Sequence, residues 1–182
     1  MQVLLETERC IIRPITMNDI AGMYEMDSDP GVHMYVGKKP VTSIEQSGEM
    51  IASIMQQYRD LGIGRWAVEE KATGRFIGWT GFKFIAGPVN GHANYIDFGY
   101  RFVKKAWGRG YATETGRAAL HYGIRHLMFR DIFATTDVNN TASRHVLEKL
   151  GFRYTHTFAY DGEPTWRQPH EPTTWYELQY DQ

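Results

Sequence analysis

The sequence predicts a single α/β domain on a mixed sheet, and three observations carry that reading. Tyr95 to Val103 and Ile132 to Thr136 are strand-like runs joined through one amphipathic helical stretch, which makes a right-handed parallel crossover. Trp66–Glu69 and Arg75–Ile85, separated by the short polar turn Lys71 to Gly74, make an antiparallel hairpin. The 182 residues fill one well-packed core but are short for two, because domains commonly run to about 100–150 residues.

The first strand runs from Arg9 to Arg13 and stops at Pro14, which cannot donate to a ladder. Thr16 and Asp19 cap a short helix in which Ile20, Met23, Tyr24 and Asp27 share a face, and Pro30-Gly31 ends it. A loop with Tyr35 and Lys38-Lys39-Pro40 follows. Ser43 and Gln46 then form a capping box for a second helix, with Ile51, Ile54, Met55 and Tyr58 at helical spacing and Gly62 as the stop. The methionine-rich stripe reads as core.

Beyond the hairpin, Gly87 to Gly91 is a turn. In the strand from Tyr95, period-two alternation puts Ile96, Phe98, Tyr100 and Phe102 on one face, and Tyr95, Asp97, Gly99, Arg101 and Val103 on the other. Gly99 in mid-strand suggests a bulge or the close approach of another backbone. The helix after Gly110 turns Ala112, Ala119, Leu120, Ile124 and Leu127 inward. Asn140 caps a last helix buried through Val146, Leu147 and Leu150 and ended by Gly151. Two more strands are expected, from Arg153 to Tyr160 and from Thr174 to Tyr180, with a Pro-rich loop bearing Trp166 and His170 between them.

Composition narrows the function classes. Hydrophobic residues at 42% and charged residues at 23% are ordinary for a globular chain, and no apolar run is long enough to span a bilayer. A formal charge of −1, without a basic stripe interleaved with aromatics, argues against direct nucleic-acid binding. The first residues lack the features of a secretory signal, and the single cysteine, Cys10, fits a buried thiol in a reducing cytoplasm. His121 and His126 lie five apart on one helix and point in different directions, so no metal site is expected.

The chemistry concentrates in Tyr100 to Glu114, where strand gives way to helix through Gly108 and Gly110. The leading N–H groups of a helix have no partner within it and carry partial positive charge, so a pyrophosphate can sit there, and glycines let it approach the backbone. Lys105 and Arg109 could add charge-assisted contacts. The same glycines would also serve a simple tight connection. No P-loop spacing is present, and a dinucleotide fingerprint would want Gly or Ala where Thr113 stands, which disfavours a nicotinamide-binding oxidoreductase.

Trp107-Gly-Arg-Gly-Tyr-Ala-Thr-Glu114 resembles the acyl-CoA turn of the Gcn5-related N-acetyltransferases, in the form common in the ribosomal-protein N-terminal acetyltransferase branch. Lys105 stands where the superfamily prefers Gln or Arg. Leu5 to Arg9, Ile12-Arg-Pro14, Thr73-Gly74, Phe76 to Trp79 and Asn139 to Phe152 resemble the same branch, so the likeness runs nearly the whole chain. It implies that residues 1–182 form one N-acetyltransferase domain with a strongly bent mixed sheet flanked by helices. The central parallel strand pair would splay to take the pantetheine arm, and the two early helices would wall the acceptor cleft.

The resemblance further implies acetyl-CoA as co-substrate, with Gly108, Arg109, Gly110, Tyr111, Ala112 and Thr113 around the pyrophosphate. Phe102 and Val103 would pair with pantetheine, and Asn140 would fix its amide. An unpaired N–H near Val103 would stabilise the oxyanion. Asp97 is the candidate for holding the water that deprotonates the amine, against the alternative of a cross-strand salt bridge; an ion pair with Arg101 on its own strand is not expected. Ser143 is the candidate for protonating the departing thiolate, or else it satisfies a stray N–H in the first helical turn. Tyr111 and Tyr154 are fallback acids. Trp66, Tyr35 and the loop around Trp166 are candidates for shaping the pocket, though core or surface packing explains each aromatic at least as well.

The expected reaction is direct transfer to a primary amine, on a protein N-terminus or a small molecule. The rival is an acyl-CoA sensor without turnover. A homodimer is compatible with the family by analogy alone.

Overall fold

The alternation of strand-forming and amphipathic segments organises into one eight-stranded sheet in a computed structural model that describes residues 4–162 and 170–179. In chain order the strands are β1 (Leu5–Glu6), β2 (Cys10–Pro14), β3 (Arg65–Glu70), β4 (Arg75–Ile85), β5 (Tyr95–Phe102), β6 (Asp131–Asp137), β7 (Arg153–Ala159) and β8 (Pro172–Gln179). The helices are α1 (Ile20–Asp27), α2 (Ile44–Leu61), α3 (Tyr111–Arg125) and α4 (Thr141–Lys149). The spatial order is β1-β2-β3-β4-β5-β6-β8-β7. Among the described residues only β5 and β6 pair in parallel.

That parallel pair is short. It is registered through Ile96↔Ile132 and Asp97↔Phe133, after which β5 continues to Phe102 and β6 to Asp137 without being paired to each other. The expected opening of the central strands therefore begins just past Asp97. β4 follows β5 along its other edge from Ile85↔Tyr95 to Gly78↔Phe102 with no shift in register.

The alternation expected of β5 holds for Ile96, Phe98 and Tyr100, while Phe102, expected on the same face, packs in the other core with Trp79 and Val103 where the strand ends. Phe98 and Tyr100 pack with Trp66, Phe82, Ile132, Ala134, Leu120 and Leu147 beneath α3 and α4. Trp79, Ala67, Met23, Met26 and Ile51 pack on the opposite side, with α1 and α2. Trp66 stands edge-on to Phe82 and Tyr122 in the first of these cores and does not line the cavity, so of its two readings the packing one holds.

Several local readings change. Gln46 accepts from the Thr42 N–H at 2.8 Å, one residue before the Ser43 N-cap, so the box at α2 is shifted. The inward stripe of α3 is Tyr111, Thr115, Gly116, Ala119, Leu120 and Gly123, with Ala112 and Ile124 only half-buried. The small residues let the helix lie close on the sheet, where a Cβ at Gly123 would collide with Phe82. Gly99 marks neither a bulge nor a neighbouring backbone: a Cβ there would collide with Nη1 of Arg65, reaching across from β3. Burial pushes the Cys10 thiol up to about 11, which keeps it inert. Trp166 and Tyr180 lie outside the described residues, and no described helix is long and apolar enough to cross a membrane.

Candidate active site

Where β5 and β6 part, a cavity of about 1410 Å³ opens along the sheet, lined by α1, α2 and β4 at one end and by the starts of α3 and α4 at the other. Its chemistry divides into a wall made mainly of backbone and a wall made of charged side chains.

The backbone wall begins at the end of β5. Val103 donates its N–H to the Ile77 carbonyl at 3.0 Å, so the free donor expected near Val103 is not its own, and Val103 is not among the lining residues. Because strand backbone groups alternate sides, this bond turns the N–H groups of Tyr100 and Phe102 the other way, toward the opened β6 side. The Phe102 carbonyl accepts from Nε1 of Trp107 at 2.8 Å, which ties the strand end to the glycine turn.

Gly108 and Gly110 both have positive φ, 69° and 83°, and Gly110 is the N-cap of α3. A side chain would be strained at either, and a Cβ at Gly108 would meet nothing within 4 Å, so the turn is held open by conformation and not by crowding. The first amides of α3, at Tyr111, Ala112 and Thr113, face the same space, and all three residues line the cavity. This cradle fits a pyrophosphate.

The two cations proposed for that anion are turned elsewhere. Lys105 pairs with Glu25 at 3.1 Å and Arg109 with Glu70 at 3.2 Å, and neither lines the cavity. Lys104 does, a residue missed from sequence. The 3-10 turn Lys104–Ala106 is the reason, since three residues per turn send successive side chains about 120° apart.

Beneath the turn lies a clamp. Glu114 accepts from Nε of Arg9 at 2.7 Å, the Arg9 N–H at 2.9 Å and the Thr7 hydroxyl at 2.6 Å. Burial alone would raise the Glu114 carboxyl, but Thr7 and Arg9 outweigh it and hold it below the usual range. The Tyr111 hydroxyl donates to Glu70, which removes it as an acid, and exposed Tyr154 does not line the cavity.

At the start of α4, Asn140 Oδ1 accepts from the Ser143 N–H at 3.1 Å, the expected cap. The Ser143 hydroxyl lies 3.0 Å from the hydroxyl of Tyr100, which also reaches the Ser143 carbonyl at 3.0 Å. Burial raises the Tyr100 phenol well above its ordinary value, against the pull of Ser143, and so keeps it protonated. Sequence reading passed over Tyr100; its place on the Phe98 face was visible, but its meeting with α4 was not.

The charged wall lies on the other face of β5. Asp97 Oδ2 accepts from Nη2 of Arg65 at 3.1 Å, an ion pair across the sheet. The Arg65 guanidinium lies 4.3 Å from the centre of the Trp79 ring, and that of Arg101 lies 5.4 Å from it. Arg101 donates to Asp27 at 2.6 Å, and His33 stands 3.3 Å from the same carboxylate oxygen. Asp27 is fully buried; burial would raise its carboxyl, but Arg101 and His33 outweigh that and lower it. It reads from sequence as one of the inward-facing residues of α1, and what it carries there is a buried charge. Asp97, Ser143, Asn140 and Tyr35 all line the one cavity, and no cluster able to hold a metal occurs among the described residues.

A sheet opened between parallel strands, with a glycine-started helix at its mouth, is the frame of an acyl-CoA-dependent transferase. The chain belongs to the GNAT acetyltransferases: the acetyltransferase (GNAT) domain matches residues 9–153. An N-acetyltransferase of Bacillus subtilis, YoaA, itself uncharacterized, is 32% identical over 150 residues, covering 82% of each chain. Among solved structures, a GNAT-family acetyltransferase from Bacillus anthracis superposes with a TM-score of 0.77 at 24% identity, covering 96% of this chain and 97% of its own. RimL, the ribosomal L7/L12 α-N-protein acetyltransferase in complex with coenzyme A, superposes with a TM-score of 0.78 at 12% identity, covering 98% of both. The protein is an N-acetyltransferase, and GNAT acetyltransferases use acetyl-CoA.

Proposed function

We propose that the protein binds acetyl-CoA along the opened β5–β6 seam and transfers its acetyl group directly to a primary amine, on a protein N-terminus or a small molecule. The observation that carries this is the end of the β5–β6 register at Asp97, followed by the left-handed Gly108 and Gly110 at the head of α3. The pyrophosphate is held by the amides of residues 108 to 113, and the pantetheine arm runs beside Tyr100 and Phe102, whose N–H groups take the place of the missing strand pairing. Asn140 holds the pantetheine amide. The co-substrate supplies an activated thioester.

An amine with a pKa of about 8–10 arrives mostly protonated at neutral pH, so the site has to remove a proton first. Asp97, from the charged wall, holds the water that receives it. As the C–N bond forms and the C–S bond breaks, the carbonyl oxygen is stabilised by a β5 amide on the open side, that of Tyr100 or Phe102. Ser143 gives its proton to the thiolate and is reprotonated through the Tyr100 hydroxyl beside it, and the proton that the acylated nitrogen sheds to solvent as the amide forms balances the one delivered to sulfur.

Incubation with acetyl-CoA and a panel of N-terminal peptides, amino acids, polyamines and aminoglycosides, followed by free thiol and product mass, tests the reading. A 42 Da gain on an amine, about the mass of an acetyl group replacing a proton, is expected with matching CoA release. Acetyl-CoA binding without turnover of any amine would favour the sensor alternative.

A further inference from the structure

We propose that the acceptor carries an anionic group, a carboxylate in its simplest form, which docks on Arg65 between Lys83 and Arg101; this rests on the acetyltransferase reading of the same cavity. The charged wall is a patch of sheet between two apolar clusters, one under α1 and α2, the other around Val89, Tyr95 and Trp175. Register brings its members together: Lys83 is opposite Asp97, Gly81 opposite both Arg65 and Gly99, and Trp79 opposite Arg101. Three cations thus surround Asp97 on one face. Asp27 answers Arg101 from beneath, and among the described residues this face gathers three cations, Arg65, Lys83 and Arg101, against two carboxylates, Asp97 and Asp27. The other carboxylates lining the cavity among the described residues, Glu49 and Asp161, are exposed at its rim.

Arg65 is the centre of the patch. Its side chain is only 19% exposed, it stacks on Trp79, and Gly99 leaves the space its guanidinium occupies. Of five N–H donors, its guanidinium has one protein hydrogen bond among the described residues, that from Nη2 to Asp97, while the side chain lines the cavity. Burial, then the like charge of Arg101, push its guanidinium below the ordinary arginine value against the pull of Asp97. A planar guanidinium so placed suits a carboxylate, and a second anion offsets the repulsion between the two arginines. A polyamine or aminoglycoside would add positive charge to a face already positive, so these are disfavoured.

The test compares matched amines on the wild-type protein: free amino acids against their primary amides, dipeptides with an acidic against a neutral second residue, and spermidine. The carboxylate-bearing partner of each pair is expected to have kcat/KM higher by about tenfold or more. The amino-acid and dipeptide arms tell which source of the anion is preferred. In Arg65→Met the preference should collapse while the Kd for acetyl-CoA stays unchanged; Arg65→Lys should restore part of it. Equal or faster turnover of amides and spermidine overturns the proposal while leaving acetyl transfer intact, as does a preference that survives Arg65→Met. Failure to bind acetyl-CoA or to turn over any amine overturns both.

Discussion

The two walls of the cavity are built by different means. The cofactor wall uses main chain: strand amides with no partner strand, two glycines in the left-handed region and the head of a helix. The wall proposed for the acceptor uses side chains, with Arg65, Lys83, Asp97 and Arg101 gathered from three strands, the two arginines against Trp79, and buried Asp27 and His33 behind Arg101. Backbone recognition suits a ligand that is the same for every turnover. Under the proposal above, side-chain charge would set which acceptor is accepted, and could be changed one residue at a time without disturbing the first wall.

The sharpest way to break this contrast is on the acceptor side. Asp27→Asn leaves Arg101 buried without its carboxylate and should cost about 3 kcal/mol of unfolding free energy at pH 7, read by denaturant melts. Because the folded Asp27 carboxyl is lowered, its contribution is complete above the unfolded value of about 3.9 and is lost as pH falls through the lower folded value. The gap between wild type and variant should therefore close in acid.

On the cofactor side, Gly110→Val forces a β-branched residue into φ 83°, with its Cβ 3.4 Å from Nη2 of Arg9, and so distorts the head of α3. Acetyl-CoA Kd should rise by roughly 100-fold or more by calorimetry, with acceptor preference unchanged in whatever turnover remains. Ser143→Ala should lower kcat by about 100-fold at most while acetyl-CoA Kd holds, separating proton supply from binding. Tyr100→Phe should lower it less.

Glu114→Gln sharpens the comparison at its weak end. It loosens the clamp beneath the glycine turn, where Arg9 is 41% exposed and solvent screens much of the pair, so the loss should be about 1 kcal/mol. Its pH dependence has the same sign as that of Asp27, vanishing as pH falls through the lowered carboxyl value.

The glycine turn and the start of α3 were legible because Tyr100 to Glu114 is one continuous run, and the conformation that glycines permit is a local property. The helices and the hairpin were legible through periodicity and turn residues for the same reason. What failed was parity and register. Whether Val103 or Phe102 turns its N–H to the opening depends on which residue of β5 meets Ile77, and a sequence does not state how strands are registered. Arg65 escaped notice because its role exists only once β3, β4 and β5 lie side by side and Gly99 makes room for it. Asp27 looked like part of a helix face because its partners, Arg101 and His33, come from a distant strand and a loop.

The most direct test of the central claim is a crystal structure with acetyl-CoA bound. The account predicts the diphosphate within hydrogen-bond reach of the amides of residues 108 to 113, and the pantetheine beside Tyr100 and Phe102. A co-substrate seated anywhere else, with the head of α3 left in contact with solvent alone, would contradict it.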